Sequence, residues 1–122
     1  MIHLNTLHFG TAGIPLQTEK PNTLQGIKTV RKLDLDALEL EFVHSVHITE
    51  AVAPLIKKTA EEEHVVLTCH AHYYINLHAA EQIKVQASMH RIFHAAQIAS
   101  LCGGYSVCFH AGYYLGKHTE AV

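Results

Sequence analysis

The sequence predicts an α/β fold built on a parallel sheet, and three observations carry that prediction. Short β-branched, apolar segments alternate with longer stretches whose apolar residues recur at helical spacing, in the order β-α-β-α-β-α-β. The changes between segments fall largely at turn chemistry, and no linker or low-complexity run interrupts them. With 48% hydrophobic and 16% charged residues over 122 positions, the composition is that of a packed domain and not of a disordered one. Repeats of this kind imply parallel strands joined by right-handed crossovers.

The first strand is expected over residues 3–9, before the turn-rich run Gly10-Thr11-Ala12-Gly13-Ile14-Pro15. Pro21-Asn22-Thr23 opens the first helix, and Leu24, Ile27, Val30 and Leu33 form its apolar stripe. Residues 36–42 alternate with period two, as a strand does; this leaves open which face Glu39 and Glu41 occupy. A second helix extends to Glu63 and starts near Pro54, because proline is tolerated only in a first turn. The β-branched run over residues 64–70 is the third strand. The longest helix is expected over residues 79–101, with Val85, Met89, Ile92, Phe93, Ala96 and Ala99 on one face at about 100° per residue. Gly103-Gly104 stops it, and residues 105–110 form the fourth strand.

Two architectures accommodate this order, a small open sheet or part of an eight-fold barrel. A full (β/α)8 barrel needs about 250 residues, so at roughly 30 residues per unit the chain holds close to half of one. Neither GxGxxG nor GxxxxGK[ST] follows a strand, which leaves a nucleotide-binding open sheet without support. No run of about 18 apolar residues is present, so no membrane span is expected. The N-terminus shows neither the basic nor the apolar region of a signal peptide, and Cys69, Cys102 and Cys108 have no CxxC spacing. A reducing, cytoplasmic location is therefore expected. The net charge of −2 does not advertise nucleic-acid binding. Histidine is the compositional outlier, at 12 residues.

His70 closes the third strand and His110 the fourth, which puts both on the C-terminal rim of a parallel barrel, where active sites are built. Neighbouring strands are about 4.8 Å apart, so two such imidazoles can share one metal ion. The alternative is a pair of strand-end histidines that merely cap loops. His90 and His94 form an i, i+4 pair on the long helix, suited to adventitious metal, and HExxH is absent. His72 is either a loop histidine or an extra ligand beside His70. No role is assigned to His3, His8, His64, His78 or His118.

Four segments, Phe9-Gly10-Thr11-Ala12-Gly13-Ile14-Pro15, Leu40-Glu41-Phe42-Val43, His70-Ala71-His72-Tyr73-Tyr74-Ile75-Asn76-Leu77 and Phe109-His110-Ala111-Gly112-Tyr113-Tyr114, resemble in order and spacing the endonuclease IV family, in its archaeal flavour. That resemblance implies the N-terminal half of a TIM barrel of the xylose-isomerase-like group. It also implies zinc as cofactor, three ions in the family, and cleavage of double-stranded DNA on the 5′ side of abasic sites. His70 and His110 match two ligands of a single zinc. Tyr73 and Tyr74 match the loop that the family pushes into DNA, where aromatic faces can stack on bases.

His44 and His47 stand where archaeal relatives place DNA-contacting arginines, and a neutral imidazole binds phosphate less well than a guanidinium. The family's usual prolines are replaced by His72 and Ala111. Its remaining zinc ligands lie on strands five to eight, so the 122-residue chain by itself is expected to be inactive. The alternatives are a sugar isomerase or epimerase of the same barrel group, and a non-enzymatic half-barrel. A half-barrel would need a missing C-terminal half, or self-association through its open sheet edges.

Overall fold

The computed structural model describes residues 5–116. Residues 3 and 4 of the expected first strand, together with His3 and His118, lie outside them. The elements are β1 (Gly10–Ala12), α1 (Thr23–Lys32), β2 (Ala37–Glu41), α2 (Ala53–Glu62), β3 (Val66–His70), α3 (Gln82–Leu101) and β4 (Val107–Cys108). The four strands form one sheet in the order β1-β2-β3-β4, and every pair is parallel. This is the expected α/β alternation on a parallel sheet. None of the described helices is long and apolar enough to cross a membrane.

The first strand begins later than the sequence suggests. Residues 5–9 are irregular, and pairing starts at Gly10↔Ala37, inside the run expected to be a turn. Asp36 causes the shift by clamping the preceding segment. Its carboxylate takes the Phe9 N–H and the His8 ring, both at 2.8 Å, while the Phe9 carbonyl accepts the N–H groups of Asp36 and Ala37. A Cβ on Gly10 would sit 1.9 Å from the Ala37 carbonyl oxygen, so only glycine permits this close start to the ladder.

α1 forms as expected: Asn22 caps it by accepting the Gln25 N–H at 3.0 Å, and Ile27 and Val30 are fully buried. Pro54 stands in the first turn of α2. All three helices end alike. Asp34, His64 and Gly103 take the left-handed conformation (φ +59°, +54° and +76°), and the N–H of the next residue returns to Val30, Ala60 and Ala99 respectively. His64 is therefore the end of α2 and not the start of β3.

α3 departs from expectation in its buried face. Met89 and Phe93 are exposed, and the helix packs through Ser88, Ala95, Ile98 and Ala99. The face that α3 presents to the core is mostly small residues with Ile98 among them, and Met89 and Phe93 are left outside. One core unites the helices with Leu38, Leu40, Phe42, Leu67, Cys69 and Ala71. The helices therefore cover one face of the sheet. Glu39, Glu41, Thr68 and His70 stand on the other.

Gly10→Ala should push β1 off the sheet and cost about 1–3 kcal/mol, read as a lower urea midpoint; an unchanged midpoint would refute the close-approach argument. Burial raises the Asp36 pKa, but the His8 hydrogen bond, the Phe9 N–H and nearby positive charge outweigh it and hold the group below 3.8. A lowered carboxylate stabilises the fold above its ordinary range, and that contribution is lost as pH falls through the folded value. Denaturation midpoints of the wild type should therefore fall below pH 3.8 more steeply than those of Asp36→Asn.

Candidate metal centre

Parallel register explains how the two strand-end histidines meet. His70 pairs with Cys108, so His110 lies two residues further along the neighbouring strand and, by the period of two, on the same face. Their rings come to 5.4 Å between centroids, tilted by 46°. His70 Nδ1 lies 2.8 Å from the Ala71 carbonyl oxygen. A carbonyl can only accept, so Nδ1 carries the proton and the Nε2 lone pair is left for a ligand. Orientation by a carbonyl is the usual arrangement behind a metal-binding imidazole.

Two imidazoles fit a zinc site in donor type, but a catalytic zinc takes at least three protein ligands. Among the described residues no three His, Cys, Asp or Glu side chains converge on one point. His72 does not join the pair. Its surroundings are Arg91 and His94 of α3, and burial, followed by those two charges, lowers its pKa. Its Nδ1 is buried without a hydrogen-bond partner among the described residues.

Tyr73 stands beside the His70–His110 pair, 6.4 Å from the His110 ring, and meets Tyr74 edge to face at 5.7 Å. Both tyrosines are more than half exposed. Their backbone is nonetheless fixed: the Tyr73 N–H donates to the Val43 carbonyl at 2.9 Å, and Arg91 donates to the Tyr74 carbonyl at 3.2 Å. The following Ile75-Asn76-Leu77 is an anchor. Ile75 is buried, the Asn76 N–H reaches the buried Ser88 hydroxyl, and the Leu77 N–H donates to Ala111 in the loop after β4. His78 ties the same two loops through Nδ1 to the Tyr113 carbonyl at 3.0 Å. A groove of about 470 Å³ runs alongside, lined in part by Tyr73, Tyr74, Tyr113, Lys84 and Arg91.

His44 and His47 belong to the β2–α2 loop at the same end of the sheet, and both are exposed. The His47 ring packs edge-on to Phe42 at 5.6 Å and borders a cavity of about 290 Å³ shared with Gly13, Glu39 and Glu41. Neither is grouped with His70 and His110.

Sequence reasoning left Glu39 and Glu41 unplaced. Glu41 is in register with His70, and both carboxylates face away from the helices. Burial raises the Glu41 pKa, the hydrogen bond and charge of Glu39 add to the rise, and His70 opposes it. The Cys108 thiol donates to Glu39 at 3.7 Å. The signal was available: apolar Leu38, Leu40 and Phe42 must take the helix-covered face, which sends the carboxylates to the other. All three cysteines are free thiols, with Cys69 pushed up to about 12 and Cys102 to about 11 by burial.

The profile described as Xylose isomerase-like TIM barrel matches residues 27–122. An uncharacterized protein of Methanocaldococcus jannaschii is 40% identical over 114 residues, which make up 93% of this chain and 40% of that protein. The chain thus spans well under half the length of this curated relative. Endonuclease IV from Thermus thermophilus resembles it with a TM-score of 0.66 at 19% identity, over 82% of this chain and 38% of the other. D-psicose 3-epimerase, solved in the presence of D-fructose, does so with a TM-score of 0.60 at 19% identity, over 74% and 32%. SacUVDE reaches 0.60 at 11% identity, over 92% and 47%. Identities this low establish shared fold and nothing about activity. With the profile covering most of its length, the chain belongs to the xylose isomerase-like TIM barrel family.

Proposed function

We propose that this chain supplies the first four strands of a zinc-dependent DNA-repair nuclease that hydrolyses the phosphodiester 5′ to abasic sites. The observation that carries the reading is the His70–His110 pair: two imidazoles from adjoining strand ends, 5.4 Å apart, one of them oriented by a backbone carbonyl. His70 Nε2 and His110 hold the metal, and the remaining ligands come from strands beyond the fourth. Bound zinc supplies positive charge that polarises a phosphoryl oxygen and lowers the pKa of water. Tyr73 and Tyr74 present aromatic faces beside that pair, suited to stacking on bases opened at a lesion. His44 and His47 contact phosphate weakly when neutral. Three free thiols accord with a reducing cytoplasm.

A second reading stays within the same fold, which an epimerase shares to nearly the same degree as the nuclease. That reading is ketose epimerisation on the same metal pair. The exposed tyrosines favour the nuclease, because stacking on bases needs free aromatic faces.

The discriminating experiment supplies the missing strands. The 122-residue chain is incubated with Zn2+ and an abasic duplex, alone and together with the C-terminal part of the Methanocaldococcus relative. The chain alone should not incise. The mixture should, and His70→Ala and His110→Ala should each lower the rate by about 10–100-fold or more. Epimerisation of a ketose by the mixture with no incision would reverse the assignment. Inactivity on both substrates would point to a non-enzymatic half-barrel.

A further inference from the structure

We propose that His90 and His94, on the exposed side of α3, form a second metal site, for a borderline divalent transition-metal ion such as Ni2+, Cu2+ or Zn2+. This inference does not rest on the nuclease reading, since it concerns a different element and a different pair of residues.

Side chains at i and i+4 lie about one helical turn apart on the same face. Here the two rings face each other at 6.3 Å between centroids, only 11° from parallel. Both residues are exposed, whereas the helix that carries them is anchored through Ser88, Ala95, Ile98 and Ala99. The backbone spacing is therefore fixed while the rings remain free to turn, a motion exposed side chains make within nanoseconds. A rotation that points one nitrogen from each ring at a common ion gives the usual metal–imidazole distance of about 2.0–2.1 Å.

Chemistry selects the ion. A donor set of imidazoles without carboxylates favours copper, nickel and zinc over magnesium or calcium. Arg91, between the two histidines in sequence, directs its guanidinium to the Tyr74 carbonyl at 3.2 Å. His72 adds no donor through Nδ1, which is buried. Water completes the coordination, so the ion exchanges readily. The folded helix alone brings the two residues together, so binding also stabilises the fold by linkage.

The test is equilibrium dialysis of the full chain against NiCl2 slightly above neutral pH, with nickel per chain measured by elemental analysis. A His70→Ala/His110→Ala background silences the strand-end pair, so failure of that site cannot be mistaken for failure of this one. One Ni2+ per chain should remain there, and His90→Ala or His94→Ala should each weaken its binding by about tenfold or more. Nickel should also raise the thermal midpoint, and the rise should vanish in the same two variants. Both substitutions are at exposed positions, and circular dichroism of the metal-free proteins checks that they fold. Nickel uptake unchanged by both substitutions would overturn the proposal. So would an ion lost with His44→Ala or His47→Ala instead.

Discussion

Five consecutive parallel pairs, from Ala37↔Val66 to Glu41↔His70, bind β2 to β3 and set the faces of the whole sheet. They place Leu38 beside Leu67 and Leu40 beside Cys69 under the helices, and by the same act place Glu41 beside His70 on the opposite side. A slip of one residue in either strand would exchange the two sets. The core would receive carboxylates and an imidazole without partners, and the candidate metal centre would be buried under α2 and α3. Packing and chemistry are therefore not separate designs in this molecule. The hydrophobic cost of the wrong register is what aims the histidine.

The same sheet leaves two demands unmet within the chain. Parallel sheets are normally covered on both faces, yet the face carrying Glu39, Glu41, Thr68 and His70 has no covering layer among the described residues. Moreover β1 and β4 each pair with a single neighbour. Exposed Leu7 and Phe9 flank the first edge, and exposed Tyr105 and Phe109 the last. Even on that open face, burial together with the hydrogen bond and charge of Glu39 raises the Glu41 pKa, and the Cys108 thiol donates to Glu39.

The parts of the fold legible in the sequence were those where one residue type has one physical use. Asn22 before an apolar stripe, Pro54 in a first turn and Gly103 after a helix mark ends that tolerate few substitutes. Strand-end histidines were equally readable, since two of them one βα unit apart have few places to go. β1 was misplaced because its pairing is set by Asp36, 27 residues from Phe9, and a contact at that distance leaves no local pattern. The face of α3 was misjudged because apolar residues occur around much of its circumference. The face that packs carries Ser88, Ala95, Ile98 and Ala99, and Met89 and Phe93 are left to solvent.

The helix ends show how the rim acquires its level. Asp34, His64 and Gly103 differ in every chemical respect, yet each closes its helix in the left-handed conformation with the same pair of returning hydrogen bonds. For Asp34 and His64 that conformation costs about 1–2 kcal/mol, which the surroundings must offset. What the turn secures is direction: Leu35, Val65 and Gly104 emerge within a residue or three of the next strand. Strand starts fixed in this way at the bottom of the sheet, with pairing in register above them, determine where each strand stops. His70 stands at the end of five paired residues and His110 two residues past β4, and their rings meet because the register sets His70 beside Cys108.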